Sequence, residues 1–268
     1  MNMVLRRLDE NEQVEAWERA SSVDAQARAA LLAGAYVPDA LMPTLPDWSV
    51  AGRDHLLLLA YQHQFGEDIS VEGRCHACGA KTQLNFSTSQ LLNTASSRLA
   101  AAWHSDTATL NTEVYLTEYH EMEVQGLPCQ FRLPRIQDFH DMHRGDASLR
   151  QFAQRVIAPS DFAAIEETFS AKKEEGAAWE QLYLTLEQAM LSLEPLSVVT
   201  LNATCPECSA QTEHQFDIAN QFWAQLSAAV EKQLWDVHIL ASAYGWSSQD
   251  ILSMSSARRR RHIAMLIE

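Results

Sequence analysis

Two pairs of cysteines in this chain have the spacing of metal ligands. Cys75 and Cys78 form one CxxC pair, and Cys205 and Cys208 form the other. Zn2+ prefers four soft ligands arranged as a tetrahedron, and a single CxxC turn supplies only two thiolates. The two pairs together therefore predict one zinc ion per chain, held by cysteines from two distant stretches of sequence.

The residues around the two pairs are repeated as well. Matching residues stand at identical offsets from the first cysteine of each pair, with Val71, Ala80, Thr82 and Phe86 in the first copy and Leu201, Ala210, Thr212 and Phe216 in the second. Apolar residues lead into each pair, and Ser87 and Asp217 follow where a helix N-cap is expected. The pattern predicts a duplicated unit of strand, CxxC turn, strand and helix. We therefore expect an α+β fold in which zinc-ribbon-like β knuckles accompany a predominantly helical remainder.

Two disulfide bonds, or separate free thiols, are the alternatives to a zinc site. Disulfide frameworks are typical of small secreted proteins, whereas this chain has five cysteines in 268 residues and its amino terminus contains no apolar signal core. The long insertion between Cys78 and Cys205 does not exclude zinc, because the entropy of loop closure grows only logarithmically with length. The fifth cysteine, Cys129, is expected to be a small buried apolar residue.

A zinc ion bound by four thiolates has no open position for water or substrate, so we expect a structural ion and no catalysis. His76 could replace a cysteine as a ligand, but the four cysteines already complete the tetrahedron. His214 is expected on the surface of the strand that follows the second cysteine pair.

Signatures of enzymes are otherwise scarce. The sequence contains no GxxxxGKS/T, GxGxxG, GxSxG or HExxH motif. The best candidate is the stretch from Asp138 to His143. It contains two carboxylates, Asp138 and Asp141, and two histidines, His140 and His143. This group could bind a divalent ion in a metal hydrolase. A polar helix start after Pro134 is the simpler interpretation, because aspartates are favoured at helix N-termini.

Length and composition indicate a globular protein. With 268 residues, of which 47% are hydrophobic, the chain can bury one large core or two modest ones. Its longest aliphatic run, Leu56 to Ala60, is far shorter than the roughly 20 residues of a membrane-spanning helix. We therefore expect a soluble protein that is made in the cytoplasm and does not bind a membrane.

The net charge of -15 argues against nucleic-acid binding, which is the commonest use of a zinc ribbon. Phosphate contacts need a basic surface, and the run from Arg258 to Arg261 is the chain's basic cluster. We expect these arginines to form a solvated face of the last helix, next to Ile263 and Ile267. A phosphate site and docking onto an acidic partner surface are the other two interpretations.

Helix and turn signals divide the chain into four segments. They are an N-terminal helical extension (1–44), a helix with the first knuckle unit (45–92), an inserted β-hairpin and helical segment (93–197), and the second knuckle unit with C-terminal helices (198–268). Inside them we expect a helix from about Ala51 that Gly66 ends, strands at Glu113 to Leu116 and Met122 to Leu133, and a long helix from Ile218 that Gly245 caps.

Several motifs carry a resemblance to a known family. They are Leu45-Pro46, Gly52-Arg53-Asp54-His55-Leu56-Leu57, the two CxxC pairs, Tyr244-Gly245-Trp246-Ser247, Asp250-Ile251-Leu252, and Arg258 to Arg261 followed by Ile263. Over about residues 45–268 the chain resembles phage-derived proteins that are similar to the baseplate hub assembly proteins of T-even-type contractile tails. Such proteins are found among the genes for contractile phage tails and contractile injection systems.

The resemblance implies a set of ligands and a role. The family's zinc-ribbon ligands correspond to Cys75, Cys78, Cys205 and Cys208. One departure is Ser209, which stands where the first unit has Gly79, so the second turn must accept a side chain. The implied role is assembly: a transient chaperone or a component of the finished particle that binds tail or baseplate proteins.

Three hypotheses for function follow. The leading one is a non-enzymatic assembly factor or structural component of a contractile phage-tail-like baseplate, stapled by a structural zinc site of four cysteines. The second is a zinc-ribbon nucleic-acid or transcription-associated adaptor, which a positive patch around the ribbon would favour. The third is a metal hydrolase centred on His140 and His143, which would require a second metal ion.

Overall fold

Helices make up most of the described chain, and short strands lie between them. The computed structural model describes residues 1–140, 148–171 and 174–267. The helices are α1 (Glu10–Ser21), α2 (Ala25–Gly34), α3 (Val50–Phe65), α4 (Thr88–Leu92), α5 (Ser97–Ala100), α6 (Ile136–His140), α7 (Leu149–Val156), α8 (Pro159–Ser170), α9 (Glu175–Leu193), α10 (Ile218–Tyr244), α11 (Ser248–Ser253) and α12 (Ser256–Ile267). The strands are β1 (Asn2–Val4), β2 (Asp68–Arg74), β3 (Lys81–Ser87), β4 (Trp103–His104), β5 (Thr109–Asn111), β6 (His120–Val124), β7 (Leu127–Phe131), β8 (Val199–Thr204) and β9 (Gln211–Phe216).

The described strands form small antiparallel sheets. β2 pairs with β3, β6 with β7, and β8 with β9, each as a two-stranded hairpin. A further sheet has the order β1-β5-β4, in which Met3 pairs with Leu110. The predicted mixture of helices and small β elements is therefore confirmed. The described helices include no candidate for a membrane-spanning segment.

Buried apolar side chains form two clusters. The first, here called the main core, combines α1, α2 and α3 with α10 and with apolar residues of the hairpins β2–β3 and β8–β9. The second, here called the insertion core, lies between the β6–β7 hairpin and α7, α8 and α9, and its members include Val124, Phe131, Val156, Phe169 and Leu186. The main core thus packs the N-terminal helices against both cysteine-bearing hairpins.

Local capping explains where the long helices begin and end. The Ser49 hydroxyl accepts a hydrogen bond from the Gly52 amide at 2.9 Å and starts α3, and Gly66 ends that helix. Asp217 accepts from two backbone amides at the start of α10, and Gly245 ends it with a φ of 70°. The predicted boundaries of both helices are confirmed. So is the predicted hairpin in the insertion, formed by β6 and β7.

One predicted strand in the insertion was wrong, and the predicted N-terminal helical extension also contains a strand. The strand expected at Glu113 to Leu116 is a 3-10 turn, Thr112–Tyr115, because the Asn111 side chain accepts from the Glu113 amide and caps that turn. The extension was expected to be helical, which α1 and α2 are, but Asn2–Val4 form β1 and pair with β5. The partner of β1 lies far along the chain, so the pairing leaves no local signal.

The expectation of a fully solvated arginine face was wrong for Arg259. Its side chain is 1% exposed and forms ion pairs with Glu10 and with Asp236, the latter at 3.3 Å. It also donates to the carbonyl of Met254 at 2.7 Å. Helical geometry turns one of four consecutive residues towards the neighbouring elements, and here α1 and α10 supply carboxylates on that side. The other three arginines of the run are exposed.

Candidate metal centre

Each cysteine pair lies in a tight turn that closes a hairpin. The Cys75 amide donates to the Ala80 carbonyl at 2.9 Å, and the Gly79 amide donates to the Cys75 carbonyl at 2.8 Å. In the second hairpin the amides of Cys205 and Ser209 make the equivalent bonds, both at 2.9 Å. The two turns therefore have the same hydrogen-bond pattern.

The difference between the turns is the residue after the second cysteine. Gly79 has a φ of 74°, in the left-handed region that glycine adopts readily. Ser209 has a φ of 60° at the equivalent position. The second turn thus accepts a side chain in this conformation, as the repeat in the sequence required.

The strands of the two hairpins pair in the same register. Gly73 faces Thr82 in the first hairpin, and the equivalent residues Ala203 and Thr212 face each other in the second. Every residue of β2 and β3 that aligns with β8 and β9 has its partner at the matching position. The duplication in sequence is therefore a duplication of backbone structure.

The two turns bring all four cysteines together. The sulfur of Cys75 lies 3.6 Å from that of Cys208, and the sulfur of Cys78 lies 3.7 Å from that of Cys205. All four sulfur atoms lie within 4.8 Å of one another. In each close pair, the first cysteine of one turn faces the second cysteine of the other. This arrangement allows one metal ion to contact all four sulfurs, with two ligands from each hairpin.

The four thiols also influence each other's ionisation. The Cys78 amide lowers the pKa of the Cys75 thiol to about 6, with contributions from the Ala77 amide and the thiol of Cys208. The Ala80 amide acts on Cys78 in the same direction, but the neighbouring cysteines outweigh it and raise that pKa to about 12. Negative charges this close disfavour one another, so full ionisation of the cluster requires a cation among the sulfurs.

The cluster is buried on one side and exposed on the other. Cys75 and Cys205 are buried, whereas Cys78 and Cys208 are exposed, so the cluster lies at the edge of the protein. The rings of His76 and His214 are stacked with centroids 5.9 Å apart. His214 is half-buried, because its ring packs over the backbone of Gly73 on the other hairpin. The prediction of a plain surface position for His214 therefore missed a contact between the two hairpins.

The four predicted ligands are thus the residues that the fold brings together. Among the described residues, they form the one group of three or more potential ligands at binding distance, and His76 is outside it. An ion held by four protein thiolates has no position left for substrate, so the arrangement suits a structural role. Cys129 is buried in the insertion core, apart from this group, as predicted.

The alternative metal cluster near residue 140 is only partly within the described chain. Asp138 is buried and makes two hydrogen bonds with Arg132, at 2.7 and 3.0 Å. Its carboxylate also accepts from the Arg135 amide at 2.7 Å, so this carboxylate has protein partners. Asp141 and His143 lie outside the described residues.

Comparisons with known proteins complete the description of the site. No protein-family model, curated protein sequence or solved structure matched this chain. The family resemblance in its motifs therefore stays a prediction, and the metal centre is defined by its own geometry.

Proposed function

We propose that this chain is a non-enzymatic assembly factor or structural component of a contractile phage-tail-like baseplate, stapled by a structural zinc ion. The observation that carries the proposal is the meeting of Cys75 with Cys208 and of Cys78 with Cys205. An ion at this position would fasten two hairpins that the sequence separates by a long insertion. The proposal has three parts, namely the ion, the absence of chemistry and the role in assembly.

Zinc is the ion that the donor set favours. Four thiolates select Zn2+ over hard cations, which prefer oxygen ligands. A tetrahedral zinc site with Zn–S bonds of about 2.3 Å has sulfur–sulfur edges of about 3.8 Å. The Cys75–Cys208 and Cys78–Cys205 sulfur–sulfur distances, 3.6 and 3.7 Å, lie near that value, and all four sulfurs lie within 4.8 Å of one another. Zinc bound in this way stabilises small folds by on the order of 10 kcal/mol, which is comparable to the stability of a whole domain.

A non-enzymatic role agrees with the chemistry of the site. A zinc ion enclosed by four thiolates supplies neither an activated water nor an open Lewis-acid position. In the described part of the chain, no second group of ligands at binding distance accompanies it. The Asp138 carboxylate, which a metal hydrolase would need, is held by Arg132.

The role in assembly is supported by the motifs of the sequence and by the character of the surface. The motifs resemble those of baseplate hub assembly proteins, whose partners are other tail proteins. The C-terminal helices expose large apolar side chains, among them Trp235, Tyr244, Met265 and Leu266. Exposed apolar side chains of this size are common at protein–protein contact sites. The net charge of -15 disfavours the alternative of a nucleic-acid adaptor.

Two measurements on the full chain test the proposal. Elemental analysis of the purified protein should find about one zinc ion per chain. Affinity purification of a tagged chain from its native host, followed by mass spectrometry, should recover sheath, tube or baseplate proteins. A Cys205→Ser variant purified in parallel controls for contacts that do not depend on the metal-stapled fold. Recovery of a polymerase or of nucleic acid with salt-dependent affinity would instead support the adaptor.

A further inference from the structure

The C-terminal end of the fold presents an ordered group of aromatic side chains. Tyr244, at the end of α10, and Trp246 are stacked with ring centroids 4.5 Å apart. The ring of His262, on α12, stands edge-on to Trp246 at 5.1 Å and to Tyr244 at 6.0 Å. Tyr244 is 39% exposed, and Met265, one turn beyond His262 on α12, is 50% exposed. The aromatic group is therefore fixed by its own contacts while it faces solvent.

Arginines border this group. On α12, Arg258 precedes His262 by four residues and Arg261 precedes Met265 by four, so each pair shares a face of the helix. We call the combined surface the C-terminal patch, and it consists of Tyr244, Trp246, Arg258, Arg261, His262 and Met265. Its residue types include the ones that most often dominate the affinity of protein interfaces, namely tryptophan, tyrosine and arginine.

In the described part of the chain, neither arginine of the patch has a carboxylate partner, whereas many other arginines do. Carboxylates pair with Arg6, Arg19, Arg53, Arg98, Arg132, Arg135, Arg150 and Arg259. Within the described ranges, Arg258 and Arg261 form no ion pair, as is also true of Arg7, Arg28, Arg74 and Arg260, although the chain carries 35 acidic residues against 20 basic ones. A surface of unpaired positive charge beside exposed aromatic rings is complementary to a segment that carries both carboxylates and apolar side chains.

We propose that the C-terminal patch binds an acidic, partly apolar segment of a partner protein. This inference deepens the proposed function and rests on it, since it assigns the surface through which an assembly partner is held. Arg259 holds the helix that carries the patch in place, because its ion pairs with Glu10 and Asp236 link α12 to α1 and α10. The binding surface is thereby held in place before the partner arrives, which lowers the entropy lost on binding.

Two other occupants fit less well. Nucleic acid could contact both arginines and aromatic rings, but the net charge of -15 would repel its backbone over most of the protein surface. A second copy of the chain, docked patch to patch about a two-fold axis, would bring together two patches that each carry the positive charges of Arg258 and Arg261. Like charges facing each other across such an interface are unfavourable.

Site-specific crosslinking in the native host tests the proposal. A photoreactive residue is placed at Met265 in the full-length chain, and a matched control carries it at Leu184, which is 55% exposed on α9. We expect Met265 to crosslink to one protein, through a segment rich in carboxylates and apolar residues, and Leu184 not to do so. The double substitution Arg258→Glu with Arg261→Glu should lower the crosslink yield by about tenfold or more, because it reverses both charges that face the acidic segment.

The charge-reversal control is Arg19→Glu, at the far end of α1, where the arginine is a surface residue. It should leave the yield unchanged. If the double variant fails to fold by circular dichroism, Arg258→Gln with Arg261→Gln replaces it. Crosslinks to nucleic acid, to a second copy or to a segment without carboxylates overturn the inference. So does the absence of a crosslink, or a yield that does not respond to the arginine substitutions.

The two proposals can fail separately. If baseplate or tube proteins co-purify but Met265 gives no acidic crosslink, the patch is not their contact site and the proposed function stands. If Met265 crosslinks to an acidic segment of a protein unrelated to contractile tails, the patch inference stands and the proposed function fails.

Discussion

The sulfur of Cys75 lies 3.6 Å from the sulfur of Cys208, a residue 133 positions later in the chain. The reciprocal pair, Cys78 and Cys205, is 3.7 Å apart. Exchanging the two hairpins converts one pair into the other, so the two pairs occupy equivalent positions in the repeat. An ion at its centre would contribute to stability by linking both hairpins at once.

Removing one ligand should remove the ion. We predict that Cys205→Ser lowers the metal content from about one ion per chain to nearly none, because three thiolates bind zinc much less tightly than four. The thermal midpoint should fall with it, since binding at such a site contributes on the order of 10 kcal/mol. Elemental analysis and a thermal melt provide the two readouts.

Cys129→Ser is the matched control for that experiment. This cysteine is also buried but belongs to the insertion core. The Cys129→Ser variant should retain the full metal content, whatever its effect on the thermal midpoint. Equal metal content in Cys205→Ser and in the parent chain would show that the cluster is not the binding site.

A methyl group at Gly73 should separate the two hairpins. A Cβ atom built there would lie 2.7 Å from Cε1 of His214, closer than side chains pack. We predict that Gly73→Ala lowers the free energy of unfolding by about 1 to 3 kcal/mol, the usual cost of overpacking. Adding His214→Ala should recover part of the loss, because it removes the clashing ring. Denaturant titration of the single and double variants measures both effects. If the losses of the two substitutions simply add, the close contact between Gly73 and His214 is contradicted.

Arg259 should be important for the attachment of the C-terminal helices. We predict that Arg259→Ala lowers the free energy of unfolding by about 3 kcal/mol, because it leaves the carboxylates of Glu10 and Asp236 without their cation. Arg260→Ala, next to it on the exposed face of α12, should change the stability by less than about 0.5 kcal/mol. Urea denaturation separates the two variants, and similar losses for both would be inconsistent with a buried Arg259.

Burial of His55 should make the stability of the protein depend on pH. Burial lowers the pKa of His55 to about 4 from its ordinary value of 6.5, and its Nδ1 lies 2.8 Å from the Tyr115 hydroxyl. The unfolded chain therefore takes up a proton between those two pKa values while the folded chain does not. Stability from this group is complete above a pH of about 6.5 and is lost as the pH falls towards about 4, by up to about 3 kcal/mol.

The measurement is the free energy of unfolding at about pH 7 and about pH 4.5 for the parent chain and for His55→Gln. The variant keeps a polar group near Tyr115 but has no proton to take up. It should lose less stability on acidification than the parent chain by roughly 2 to 3 kcal/mol. Because acid also displaces metal from thiolates in both proteins, the difference between them isolates the histidine. Equal losses of unfolding free energy in the parent chain and in His55→Gln would contradict a His55 that is neutral in the folded protein.

The parts of the fold that the sequence predicted are governed by neighbouring residues. A CxxC spacing forms a tight turn, the alternation around it forms a hairpin, and residues such as Ser49 and Gly66 cap a helix within one turn of themselves. The duplicated hairpins and the bounds of α3 and α10 follow from such short-range effects. The identity of the four clustered cysteines was also predictable, because a tetrahedral ion requires two such turns.

The tertiary structure alone decided which distant residues meet. The pairing of β1 with β5, the burial of Arg259 between Glu10 and Asp236, and the position of His214 over Gly73 each join residues far apart in the chain. Contacts of this kind depend on how the whole chain packs its apolar surface and satisfies its buried charges, so no local pattern records them. For the same reason, the sequence could name the four thiols, but only the packing of two hairpins on one core determined which sulfur faces which.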